Sequence, residues 1–112
     1  DAVFVGIGNN AVRKNLLKKL QQLAFEIPVL IHPTAYVSNS AKIHPGTVVE
    51  PMAIVNANSV VQEGCIISVG SIVDHDVVVG AYSHVNVGAI CKAGSYIASG
   101  RKLEAGEVVI GY

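Results

Sequence analysis

The chain has 112 residues, 8 basic and 8 acidic side chains, and a formal net charge of zero. It is 51% hydrophobic, yet no stretch approaches the ~20 consecutive apolar residues of a membrane span, and no secretory leader is expected. The finely mixed charge excludes the basic stripe that a nucleic-acid surface requires.

The first thirty residues read as one βαβ unit, a partial α/β domain. Residues 2–7 (AVFVGI) suit a buried strand. Asn9 or Asn10 caps a helix with Val12, Leu16, Leu20 and Leu23 along its apolar face and Arg13, Lys14, Lys18 and Lys19 exposed. Residues 28–31 suit a second strand. The turn Gly6-Ile7-Gly8-Asn9-Asn10-Ala11 fits the loose dinucleotide pattern G-x-G-x-x-G/A, but His32-Pro33 follows the second strand in place of the expected acid. A tight strand-to-helix turn is the simpler account. The chain opens on Asp1 without an initiator methionine, which is expected of a fragment.

From Ile31 the pattern changes. Every sixth residue is aliphatic or cysteine: Ile31, Val37, Ile43, Val49, Val55, Val61, Ile67, Val73, Val79, Val85, Cys91, Ile97, Leu103, Val109. At this composition such a run arises by chance roughly once in ten thousand, so it is structural. Four residues after each comes a second, mostly small series: Ala35, Ala41, Thr47, Ala53, Ser59, Cys65, Ser71, Val77, Ser83, Ala89, Ser95. A period of six suits a short strand and a turn, with one bulky residue turned inward and one small residue at the corner. Three units make an eighteen-residue coil, and coils stack as parallel strands about 4.8 Å apart. Residues 31–112 are thus expected to form a parallel β-helix of about four coils, mostly β. Arg101 and Glu107 fall where the small inward residue belongs, so the register is expected to break after about Gly100.

Cys65 and Cys91 lie on the two inward series and read as small core residues, neither a disulfide nor a metal pair, in a reducing, cytoplasmic setting. His32 and His44 each precede a proline and read as turn residues. His75 differs. It stands between Asp74 and Asp76 at an outward corner, where flanking carboxylates favour the imidazolium and fix a tautomer, as a general base needs. A solvated polar corner is the alternative. His84, nine residues on, points outward beside inward Val85, too far round the coil to share a site with His75 in one subunit. The outward columns Tyr36, Ile54, Ile72, Ile90 and Val48, Ile66, His84 make apolar ridges, and three such prisms can close as a cyclic trimer that brings His75 and His84 together between subunits.

Three segments (IGNNAVRKNLLKKL, LIHPTAYVSNSAKI and SIVDHDVVVGAYSHVNVGA) together resemble the NeuD/PglD group of sugar acetyltransferases, over nearly the whole chain. The hexapeptides alone indicate only the wider acyltransferase class, which coils left-handed. The GNN-x-x-R-x-x-L turn and the acidic-His-acidic segment followed by S-H-V-x-V-G-A are more particular. The resemblance implies acetyl transfer from acetyl-CoA, without a metal, to an amine or hydroxyl of a sugar, commonly nucleotide-linked, in a homotrimer with sites between prisms. It implies His75 as general base, Asp76 as the residue that orients it, and Asp74, His84 and Ser68 in the substrate pocket. Gly88 and Gly94 are candidate backbone donors to the developing oxyanion, and Lys92, Arg101 or Lys102 candidates for the CoA phosphates. Three departures stand out. The family's amino-terminal nucleotide-sugar turn is absent, Ser68 replaces a common asparagine, and the chain ends before the usual prism does. A zinc carbonic-anhydrase type needs three converging histidines, whereas only His75 and His84 are well placed. A non-catalytic trimeric scaffold is the third reading.

Overall fold

The six-residue spacing produces two-residue strands separated by four-residue turns. The computed structural model describes every residue, Asp1–Tyr112. One helix, α1 (Asn10–Gln22), precedes thirteen strands: β1 (Leu30–Ile31), β2 (Tyr36–Val37), β3 (Lys42–Ile43), β4 (Val48–Val49), β5 (Ile54–Val55), β6 (Val60–Val61), β7 (Ile66–Ile67), β8 (Ile72–Val73), β9 (Val78–Val79), β10 (His84–Val85), β11 (Ile90–Cys91), β12 (Tyr96–Ile97) and β13 (Val108–Val109). They form three parallel sheets, ordered β1-β4-β7-β10, β2-β5-β8-β11-β13 and β3-β6-β9-β12. Register advances by one coil each time, with Ile54 opposite Ile72 and Ile72 opposite Ile90. The result is a parallel β-solenoid of about four turns.

Both sequence series go where the spacing sends them. Val49, Val55, Val61, Ile67, Val73, Val79, Val85, Cys91, Ile97 and Leu103 are completely buried, and Ala53, Ser59, Cys65, Ser71, Val77, Ser83 and Ala89 join them. Each buried valine or isoleucine contributes about 1.5–3 kcal/mol over an exposed one. Four corner hydroxyls, those of Thr47, Ser59, Ser71 and Ser83, cost little because they are satisfied: Thr47 Oγ1 donates to the Gln62 carbonyl at 3.0 Å, and Ser83 Oγ to that of Ala98 at 2.9 Å, whereas Ser95 Oγ is buried without a partner.

Three expectations need correction. The register does not break after Gly100. Lys102 bridges His84, Leu103 is buried, and β13 pairs in step with β11. Arg101 and Glu107 are tolerated because both side chains reach solvent and pair with each other at 2.6 Å.

The βαβ reading is also too regular. The segments flanking α1 meet only in one parallel bridge, Ala2 with Glu26. Gly6 and Gly8 have no left-handed backbone and nothing near a would-be Cβ, so turn geometry does not demand glycine at either.

Finally, α1 buries a different face. Asn9 caps it by accepting from the Val12 N–H at 3.0 Å. It closes with the Phe25 N–H on the Leu20 carbonyl, across a left-handed Ala24. Its buried residues are Arg13 and Leu17, whereas Val12, Leu16 and Leu23 are exposed. Leu17 lies over the corner glycines Gly46 and Gly64. The Arg13 guanidinium donates to the carbonyls of Gly64 (2.6 Å), Ile7 (3.0 Å), Gly8 (3.3 Å) and Ser83 (3.2 Å), and to Asn10 Oδ1 (2.7 Å). Five acceptors from two parts of the chain pin the helix along one edge of the prism.

Candidate active site

The turn that follows β8 carries Asp74, His75 and Asp76, with buried Val77 as its anchor. Stacked turns hold its backbone: the Asp76 N–H donates to Ala57 at 3.0 Å, and the His75 carbonyl accepts from Gly94 at 3.1 Å. His75 is thereby presented at an exposed corner. Its Nδ1 lies 3.1 Å from Asp74 Oδ1, which also accepts the His75 N–H at 2.7 Å and Asn56 Nδ2 at 3.0 Å. These donors, Asn56 first, hold the Asp74 carboxyl below the usual range, so it is an anion at neutral pH. An anion can only accept, so in the neutral ring Nδ1 carries the proton and Nε2 keeps its lone pair. No hydrogen bond within the chain engages Nε2.

Asp76 does not touch His75. Its backbone is left-handed, at φ +57°, and its Oδ2 instead accepts from the Tyr112 hydroxyl at 2.9 Å. The Tyr112 ring lies over Gly94, where any Cβ would collide with it. Within the chain the carboxylate that meets the His75 ring is Asp74; the resemblance implied Asp76 for the orienting role. Sequence reasoning passed over Asn56 and Tyr112. Both stand at whole-coil intervals from the turn, one coil before Asp74 and two after Asp76, and that interval was the available signal.

His84 lies elsewhere, on β10 in the first sheet. Its Nε2 is 2.9 Å from Ser68 Oγ, so these two residues do come together, while its Nδ1 is screened from solvent without a partner. Burial, helped by the cations Lys102 and Arg13, lowers its pKa, so the ring is neutral at pH 7. Lys92 is exposed, one coil beyond Asp74 in the same column. The expected oxyanion donors are already spent: the Gly88 N–H on Val69 (3.1 Å) and the Gly94 N–H on His75. The N–H of Ala93, one coil beyond His75, has no acceptor in the chain.

The chain's two cavities lie away from His75. One, of about 310 Å³, opens at the first coil against Leu30, Ile31 and Val48; the other, of about 250 Å³, lies between α1 and Tyr82. A single prism thus offers His75 a corner without walls. No group of three His, Cys, Asp or Glu side chains is placed to hold a metal ion. No helix is long and apolar enough to cross a membrane.

Solved structures carry the same fold. The acetyltransferase domain of PglB from Neisseria gonorrhoeae FA1090, in complex with acetyl coenzyme A, superposes with a TM-score of 0.94 at 36% identity, over 96% of this chain and 52% of that one. Other solved structures that this chain resembles are acetyltransferases too. PerB from Caulobacter crescentus, in complex with CoA and GDP-perosamine, matches with a TM-score of 0.86 at 30% identity, over 99% of this chain and 62% of that one. A histidine-to-asparagine variant of perosamine N-acetyltransferase from the same organism, also with CoA and GDP-perosamine, matches with a TM-score of 0.90 at 29% identity. The chain spans about half to three-fifths of the length of these acetyltransferases. No family model and no curated protein sequence matches it. The likenesses support the hexapeptide-repeat acyltransferase superfamily.

Proposed function

We propose that this chain is the prism of a sugar acetyltransferase of the NeuD/PglD type, moving an acetyl group from acetyl-CoA to an amine on a nucleotide-linked sugar. One observation carries the reading. His75 Nδ1 faces Asp74 Oδ1 at 3.1 Å and Nε2 is left bare at an open corner, the arrangement a general base requires. Relatives at 36% and 30% identity, solved with acetyl coenzyme A or with CoA and GDP-perosamine, supply the substrate classes.

Acetyl-CoA brings the acyl group as a thioester. As the sugar nitrogen forms its bond to the acyl carbon and the C–S bond breaks, Nε2 of His75 takes the nitrogen's proton. The free Ala93 N–H faces no competing acceptor and suits the charge that grows on the acyl oxygen. Lys92, with Arg101 and Lys102, offers cations for the CoA phosphates.

The corner lacks walls in one prism, which supports a homotrimer with sites between neighbours, its coils left-handed by resemblance to the acyltransferase class. Tyr36 at 57% exposure and Val108 at 52% continue the apolar column of Ile54, Ile72 and Ile90 that such packing would cover. Two unpaired core thiols suit a reducing, cytoplasmic setting. The test is to incubate the protein with acetyl-CoA and a panel of free and nucleotide-linked amino sugars, and to seek the acetylated sugar by mass. Because the chain spans only part of its relatives, a non-catalytic trimeric scaffold is the second reading. A trimer that fails to bind acetyl-CoA by calorimetry selects it.

A further inference from the structure

We propose that Asn56 and Asp74 form a hydrogen-bonded relay that sets the His75 tautomer, while Tyr112 holds Asp76 out of that role. The proposal rests on the acetyltransferase reading and specifies how its base is positioned. The relay crosses two coils. Asn56 follows β5 and Asp74 follows β8 in the next coil, so the eighteen-residue stack places the two side chains one above the other. Asn56 Nδ2 donates to Asp74 Oδ1 at 3.0 Å, and that oxygen faces His75 Nδ1 at 3.1 Å. The amide thus fixes the carboxylate, and the carboxylate fixes the ring.

Asp76 flanks His75 equally closely in sequence but is engaged elsewhere. Its backbone is left-handed, and the hydroxyl of Tyr112, two coils on, donates to its Oδ2 at 2.9 Å. Only a glycine at position 94 leaves room for the tyrosine ring between them: a Cβ there would lie 1.9 Å from Tyr112 Cδ1. The tyrosine pKa is raised, first by this bond, so the hydroxyl stays a donor at neutral pH. Each carboxylate beside His75 therefore has its own donor from another coil, and only Asp74 reaches the ring. Asn56 and Tyr112 are positioning residues, since neither touches the base or a reacting atom.

The tautomer is directly observable. In protein labelled with 15N-histidine, long-range proton–nitrogen spectra at neutral pH report which ring nitrogen carries the proton, with His75 assigned from His75→Gln. The wild-type chain should show Nδ1 protonated. Asp74→Ala should lose this preference, Asn56→Ala should weaken it, and Asp76→Ala should keep it. All three substitutions fall at the surface turns, and far-ultraviolet circular dichroism verifies the fold. An unchanged tautomer in Asp74→Ala, or its loss in Asp76→Ala, overturns the relay. In acetyl transfer from acetyl-CoA to the responding amino sugar, Asp74→Ala should lower kcat by about tenfold or more with little change in KM. Loss of the tautomer with kcat unchanged overturns the relay's part in catalysis. If His75→Ala also leaves kcat unchanged, the assignment of His75 as the base fails; if wild type transfers no acetyl group to any sugar of the panel, the acetyltransferase reading itself fails.

Discussion

The Arg13 guanidinium of α1, 1% exposed, donates through Nε to the carbonyl of Gly64, fifty-one residues on, at 2.6 Å. This charge does not sit on the surface; it fastens the helix to the prism. Removing it strands several buried carbonyls, each worth about 1–3 kcal/mol when unpaired. Arg13→Leu should therefore lower stability by about 3 kcal/mol or more, and Arg13→Lys should recover little because an ammonium cannot span the same acceptors. Denaturant titration of both variants checks this.

The corner glycine beside that contact is equally constrained. Gly64 has φ +68°, and a Cβ there would lie 2.5 Å from the Tyr82 ring and 2.9 Å from Leu17. Backbone strain and crowding act together, so Gly64→Ala should cost about 2–3 kcal/mol. Gly106→Ala, at φ +70° but with open space around it, should cost only about 1 kcal/mol. Similar losses at the two sites would contradict the packing described for α1.

Burial pushes the thiols of Cys65 and Cys91 up to about 11. The thiolate is the reactive form, so iodoacetamide at pH 8 should leave both unmodified in the native protein and label both after unfolding. Intact mass spectrometry reads the outcome.

His84 gives the stability a pH dependence of known sign. Its folded pKa lies below the ordinary value of about 6.5, chiefly through burial, so the unfolded chain binds the proton first. Its contribution to stability is present above pH 6.5 and is lost as pH falls through that value. His84→Gln should flatten the stability profile between about pH 7.5 and 5.5. A steeper profile in the variant would reverse the assigned sign.

The solenoid was legible because its physics is periodic. Each inward position from Val49 to Leu103 meets the same narrow prism, and even Val77, the one bulky member of the small series, is completely buried. Arg13 was misread because helical periodicity sorts charges outward, and nothing nearby in the chain announces the carbonyls of Gly64 and Ser83 that receive it. Arg101 and Glu107 were misread for the opposite reason: the rule against a buried charge does not apply to side chains that reach water and pair with each other. At the site, His75 stood out in the sequence, but the carboxylate its ring meets did not. Asp74 and Asp76 are symmetric as neighbours, and only the left-handed turn at Asp76 and the reach of Tyr112 separate them.

The proposed chemistry is tested most directly by release of free thiol from acetyl-CoA in the presence of the amino-sugar panel, comparing wild type with His75→Ala. The account predicts sugar-dependent thiol release by wild type and at least a hundredfold slower release by a variant with the same fold and oligomeric state. Equal rates in the two proteins would contradict it.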